Sequence, residues 1–116
     1  MGFLMDDSSE SCLPECQCLF QSIDCRDGNL STVPSDQLLG ITRPLIYLNL
    51  RRNRIYRPPN NAFNGLFSPR SYLDLSDNPI QITEDRAFAG CEFLERLVLK
   101  NTGLSQLPAE FKELKI

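Results

Sequence analysis

From residue 45 onward, apolar and polar positions recur in one frame. Leu48, Leu50 and Asn53 form the pattern L-x-L-x-x-N. Leu73, Leu75 and Asn78 form it again 25 residues later. Leu97, Leu99 and Thr102 form it 24 residues after that, with Thr in the Asn place. Other columns keep step: Ile55, Ile80 and Leu104 follow the Asn position by two, and Phe63–Phe88 and Leu66–Cys91 are each 25 apart. The one-residue difference falls between Leu66 and Leu73, where Ser68 and Pro69 predict a loop that absorbs it. No single repeat buries its apolar side alone, so stacking supplies the core, each inward leucine contributing about 1.5–3 kcal/mol. The frame extends one repeat backwards through Ile23, Cys25, Gly28 and Leu30. Arg70 and Pro69 stand where the second repeat would open with leucine, so irregularity is expected there.

The repeat accounts for the 18 leucines among 116 residues. With 12 basic and 15 acidic residues, the net charge of -3 excludes the strong basic excess of a general nucleic-acid binder. The chain has no histidine, which removes the commonest general base and metal ligand, and Ser-His or Cys-His pairs with it. No apolar run approaches the roughly 20 residues of a membrane span. No glycine-rich phosphate loop or paired catalytic constellation is visible, so the chain reads as non-catalytic, without cofactor.

Four of the five cysteines, Cys12, Cys16, Cys18 and Cys25, lie in the spacing C-x3-C-x-C-x6-C. Zinc would take two chelating pairs, and the one-residue gap between Cys16 and Cys18 suits that poorly. Disulfides fit better and imply an oxidising compartment. Four cysteines allow three connectivities, of which the one with the strained Cys16–Cys18 ring is disfavoured. Cys91, in the column of Leu66, reads as a small buried hydrophobe rather than an intermolecular bridge.

The L-x-x-L-x-L-x-x-N frame resembles the leucine-rich repeat, and CLPECQC followed by IDCRDGNLSTVP resembles the N-terminal cysteine cap of extracellular leucine-rich repeat proteins. That family includes the Slit proteins, the small proteoglycans, platelet glycoprotein Ib chains and the variable lymphocyte receptors. The resemblance covers Cys12 to the C-terminus. It implies an α/β fold: a short, curved, right-handed solenoid with a parallel concave β-sheet and a disulfide-bonded cap. It also implies the pairing Cys12–Cys18 and Cys16–Cys25. The family's asparagine turns inward to bond backbone groups, a role for Asn53 and Asn78 that Thr102 fills only in part. The organisation expected is a flexible lead over 1–11, the cap over 12–44 and three repeats over 45–116. The last repeat is incomplete and lacks the family's C-terminal cysteine cap. Either the chain is a fragment, or its short turn through Leu107, Pro108, Phe111 and Leu114 is its own cap, or the open end pairs with a second copy.

In this frame the polar strand positions stack in columns on the concave side. They bring together Tyr47, Tyr72 and Arg96, then Asn49 and Asp74, then Arg51 and Lys100, with Arg52 beyond. Tyrosine offers apolar area and a hydroxyl at low entropy cost, so these residues form the expected ligand-contact surface. Arg51, Arg52, Arg54 and Arg57 form a run that either attracts an anionic partner or is a solvated face. Asn29-Leu30-Ser31 is a glycosylation sequon. The function expected is extracellular recognition of a protein or glycan, with an immune receptor of microbial surfaces as the sharpest version. An adhesion, matrix or guidance module and a self-associating homodimer are the rivals.

Overall fold

A computed structural model of the chain describes residues 12–40, 44–81, 86–91 and 94–104. The expected lead and the C-terminal turn from Leu107 to Leu114 lie outside the described residues.

Five strands form one sheet in chain order: β1 (Gln17–Leu19), β2 (Ser22–Asp24), β3 (Leu45–Asn49), β4 (Phe67–Asp74) and β5 (Leu94–Val98). Strands β2 to β5 pair in parallel. Ile23 stands opposite Leu48, Leu48 opposite Leu73 and Leu73 opposite Leu97, which is the register of the sequence repeat. One residue out of register would turn every apolar side chain to the wrong face, so the leucine columns fix the stacking.

Strand β1 departs from the parallel arrangement. It runs antiparallel to β2 and places Cys18 opposite Ile23. Phe20 turns the hairpin at φ 54. This short strand covers an edge of β2 that would otherwise present unpaired backbone groups. The disulfides Cys12–Cys18 and Cys16–Cys25 tie the hairpin to the segment before it and to the end of β2. This pairing is the one the family resemblance implied.

One cluster of buried side chains runs through the cap and the repeats. Ile23, Leu48, Leu50, Leu73, Leu75 and Leu97 supply the strand side of it. Phe63 and Phe88, both fully buried, supply the return side and stack with centroids 5.8 Å apart at 5°. The return segments that carry them are turns at 60–65 and 86–90. Among the described residues the one helix, α1 (Ser35–Leu39), follows β2 and buries Leu38. The helical share among the described residues is therefore small. Gly90 shows how closely the return segments pack: at φ +95, a Cβ there would sit 2.8 Å from Asn64 Cα. Cys91 is fully buried in the core, as expected of a small hydrophobe.

The irregularity between Leu66 and Leu73 is not a loop. Ser68 and Pro69 lie inside β4. Leu45 pairs with Phe67 and Tyr47 with Tyr72, so Ile46 alone faces the stretch from Ser68 to Ser71. A second register shift separates Ser71 and Tyr72 on the β5 side. Arg70 turns outward at φ 65, and Ser71 takes the buried place. The Ser71 hydroxyl donates to Leu45 O at 2.9 Å and also contacts Ser68 O. The excess length leaves the sheet as a bulge because these bonds satisfy the backbone that the bulge unpairs.

Candidate functional site

The sheet has one face on the core and one on solvent. Register places Leu19, Ser22, Tyr47, Tyr72 and Arg96 in one row across the solvent face. The Tyr47 and Tyr72 rings meet edge to face at 5.1 Å and 75°. The Arg96 guanidinium lies 5.6 Å above the Tyr72 ring. Both geometries are attractive, because ring edges and cations are drawn to the negative face of an aromatic ring. The contacts hold three flexible side chains in one arrangement before any ligand arrives. Burial raises the pKa of the Tyr47 phenol, and the nearby Asp74 and Asp24 carboxylates raise it further. The hydroxyl therefore stays protonated and can both donate and accept at neutral pH.

Leu19 is 76% exposed, Phe20 62% and Ile46 45%. These three apolar side chains flank the tyrosines at the N-terminal end of the strands, because the Phe20–Gln21 turn lies against β3. Ile46 N–H donates to Gln21 O at 2.9 Å. Repeat counting missed them, since β1 lies outside the repeat frame and Ile46 stands at a register shift. The signal available in the sequence was the apolar pair Leu19-Phe20 between two cap cysteines.

The remaining expected contact residues divide into two groups. Asn49 and Asp74 are 4% and 8% exposed. Asn49 Oδ1 accepts from Arg51 N–H at 3.0 Å and Asp74 Oδ1 from Ser76 N–H at 2.9 Å. Asp24 does the same for Arg26 N–H at 3.1 Å. These side chains close the strand ends and offer little surface to a ligand. Arg51, Arg52 and Lys100 are exposed on the turns that follow. Arg51 Nε pairs with Asp77 Oδ2 at 3.1 Å, and Arg52 Nε with Asp27 Oδ1 at 2.8 Å. Asn101 Nδ2 donates to Asp77 Oδ1 at 2.9 Å. The bond from Arg52 holds the Asp27 carboxyl below the usual carboxylate range, and the bonds from Asn101 and Arg51 do the same for Asp77. Two cations of the arginine run thus have their own counterions one repeat away. Arg57 instead lies over the Tyr56 ring at 5.1 Å. The pairing favours the solvated-face reading over a free anion site.

The inward asparagines do what the resemblance implied. Asn53 Nδ2 donates to Cys25 O and Leu50 O at 3.0 and 2.9 Å, and Asn53 Oδ1 accepts from Leu30 N–H at 2.9 Å. Asn78 Nδ2 donates to Leu50 O and Leu75 O at 2.9 and 3.0 Å, and its Oδ1 accepts from Ile55 N–H at 2.9 Å. Each bridges its own repeat and the one before. Thr102 donates to Leu99 O at 3.0 Å, and its hydroxyl faces Leu104 N–H at 3.5 Å, both partners within its own turn.

Among the described residues no helix is long and apolar enough to cross a membrane. The disulfides are consistent with an extracellular setting. No protein-family model matches the sequence, and no curated protein matches it. Among solved structures, the chain is similar to the leucine-rich repeat protein human 5T4 (Wnt-activated inhibitory factor 1, trophoblast glycoprotein). Identity is 22% and the TM-score 0.50, over 90% of this chain. The match spans 45% of that protein's chain. At this identity the likeness shows the fold alone: a leucine-rich-repeat-type α/β arrangement with parallel strands, an architecture generally suited to binding.

Proposed function

We propose that this chain is a non-catalytic recognition module of an extracellular protein, and that it binds a protein or glycan ligand through the solvent face of its sheet. In this reading the described strands belong to a short, curved, right-handed solenoid, the hand that parallel crossovers adopt, with the cap spanning 12–44. The carrying observation is the row Leu19, Ser22, Tyr47, Tyr72 and Arg96, in which edge-to-face aromatics, exposed apolar area and one cation lie side by side. Such preassembled aromatic and arginine surfaces are the usual energetic centre of a protein contact. Arg51, Arg52 and Lys100 form the polar rim at the C-terminal ends of the strands. The sharpest form of the proposal is immune-type recognition of a microbial surface.

The test is binding of the fluorescently labelled domain to microbial cells and to host cells. A folded Tyr47→Ala/Tyr72→Ala variant is run beside it. Microbial binding lost in the variant supports the immune reading and the tyrosine row. Host-cell binding alone, lost in the same variant, supports the row and moves the role to adhesion or matrix contact. Binding that the variant retains overturns the site. Light scattering after size exclusion decides between a monomer and a self-associating unit.

A further inference from the structure

The sequon Asn29-Leu30-Ser31 takes no part in the tyrosine row. Leu30 is held inward by its backbone: its N–H donates to Asn53 Oδ1 at 2.9 Å, and its carbonyl accepts from Arg54 N–H at 2.7 Å. Leu30 packs against the core, and its neighbours Asn29 and Ser31 are exposed. Among the described residues neither Asn29 nor Ser31 makes a side-chain hydrogen bond. Asn29 sits at φ 61, a region asparagine tolerates better than most residues. That conformation explains an asparagine here but not the exposed, unbonded hydroxyl two residues on.

Beside Asn29 lies a groove of about 490 Å³ between the cap and the first return segment. Its lining includes the polar residues Thr32, Ser35 and Asp36 and the prolines Pro34, which is buried, and Pro59, which is exposed. A hexose ring has matching parts: hydroxyls at its rim that bond to the polar groups, and a C–H face that packs on the prolines. No residue of the tyrosine row lines this groove.

We propose that Asn29 carries an N-linked glycan whose first sugar seats in this groove, leaving the tyrosine row uncovered. The inference rests on the extracellular reading above, since attachment requires passage through a secretory compartment. In the transfer, the Asn29 side-chain nitrogen bonds to the anomeric carbon of a pyrophosphate-linked oligosaccharide. The bond from that carbon to the pyrophosphate oxygen breaks, the pyrophosphate leaves with the electron pair, and the nitrogen gives up one proton.

The chain, exported from a eukaryotic host with an added leader, is analysed by mass for glycan and for disulfides. A glycan on Asn29, absent from Ser31→Ala, is the expected result, because that variant keeps the Asn29 backbone and removes only the hydroxyl. Exported protein with Cys12–Cys18 and Cys16–Cys25 formed and no glycan overturns the inference and leaves the extracellular reading standing. Protein that never forms the disulfides overturns both. The seat is tested by amide hydrogen exchange over residues 31–37, expected to slow by at least about threefold in the glycosylated protein relative to Ser31→Ala. A glycan that leaves exchange there unchanged projects into solvent and overturns the seat.

Discussion

The two ends of the strands are built differently. At the C-terminal ends the ladder runs on past each strand without a break. Cys25 N–H donates to Asn49 O, Leu50 N–H to Asp74 O and Leu75 N–H to Val98 O, at 2.7 to 2.9 Å. Asp27, Arg52, Asp77 and Asn101 then take positive φ one repeat apart, at 60, 58, 60 and 56. Asn53 and Asn78 bridge the repeats beneath this edge. At the N-terminal ends register slips twice, Arg70 is thrown outward and Ser71 replaces a leucine. The polar bonds repeat along one edge of the register that the leucine columns set, and the opposite edge varies. The apolar side chains flanking the tyrosines, Leu19, Phe20 and Ile46, all lie toward the variable edge.

The largest expected effect breaks the regular edge. Asn78→Ala removes the buried side-chain partner of Ile55 N–H and of the Leu75 carbonyl, while Leu50 O keeps its bond from Asn53 Nδ2. It is expected to cost about 2–4 kcal/mol in urea denaturation at unchanged slope. Thr102→Ala removes bonds confined to one turn and is expected to cost about 1 kcal/mol or less in the same experiment. Equal losses from the two variants would mean that bridging between repeats is not what Asn78 supplies.

A smaller effect sharpens the irregular edge. Arg70 holds φ 65 with an exposed side chain that makes no ion pair among the described residues. Arg70→Gly relieves that strain against a larger unfolded-state entropy and is expected to stabilise by about 0.5–1 kcal/mol. Arg52→Gly, at φ 58, also forfeits the ion pair to Asp27 and is expected to gain less. A larger gain at Arg52 than at Arg70 would show that the pairing adds nothing to the regular edge.

The smallest effect is a pH dependence. Asp27 and Asp77 titrate below their unfolded value of about 3.9. Their contribution is therefore complete above that pH and is lost as pH falls through the lower folded values. Denaturation midpoints are expected to decline slightly below about pH 4, and less in Asp27→Asn/Asp77→Asn. Because Asp27 is exposed and Asp77 only half-buried, the change is modest. A variant as acid-sensitive as the parent would place the responsible groups elsewhere.

The period of the leucines determined by itself which residues stack, because strand alternation and the burial of one face leave a single register that hides every apolar column. The column of Leu48, Leu73 and Leu97 and the Phe63–Phe88 pair were legible from spacing, and the inward asparagines through the family resemblance. The disulfide pairing was legible only through the family resemblance, since spacing alone leaves alternatives open. Other features depended on neighbours far along the chain, which no local pattern reports. Antiparallel β1 exists because the edge of β2 needs covering. The bulge in β4 exists because Ser71 reaches the Leu45 carbonyl. Arg51 and Arg52 are spoken for because Asp77 and Asp27 arrive beside them from adjacent repeats. Asn49 and Asp74 close the ends of their strands because the backbone there turns back within reach of its own side chains. Sequence thus decided the columns of the repeat. The tertiary structure decided which members of each column stay exposed and unpaired, because exposure and pairing are settled only when the repeats are in contact.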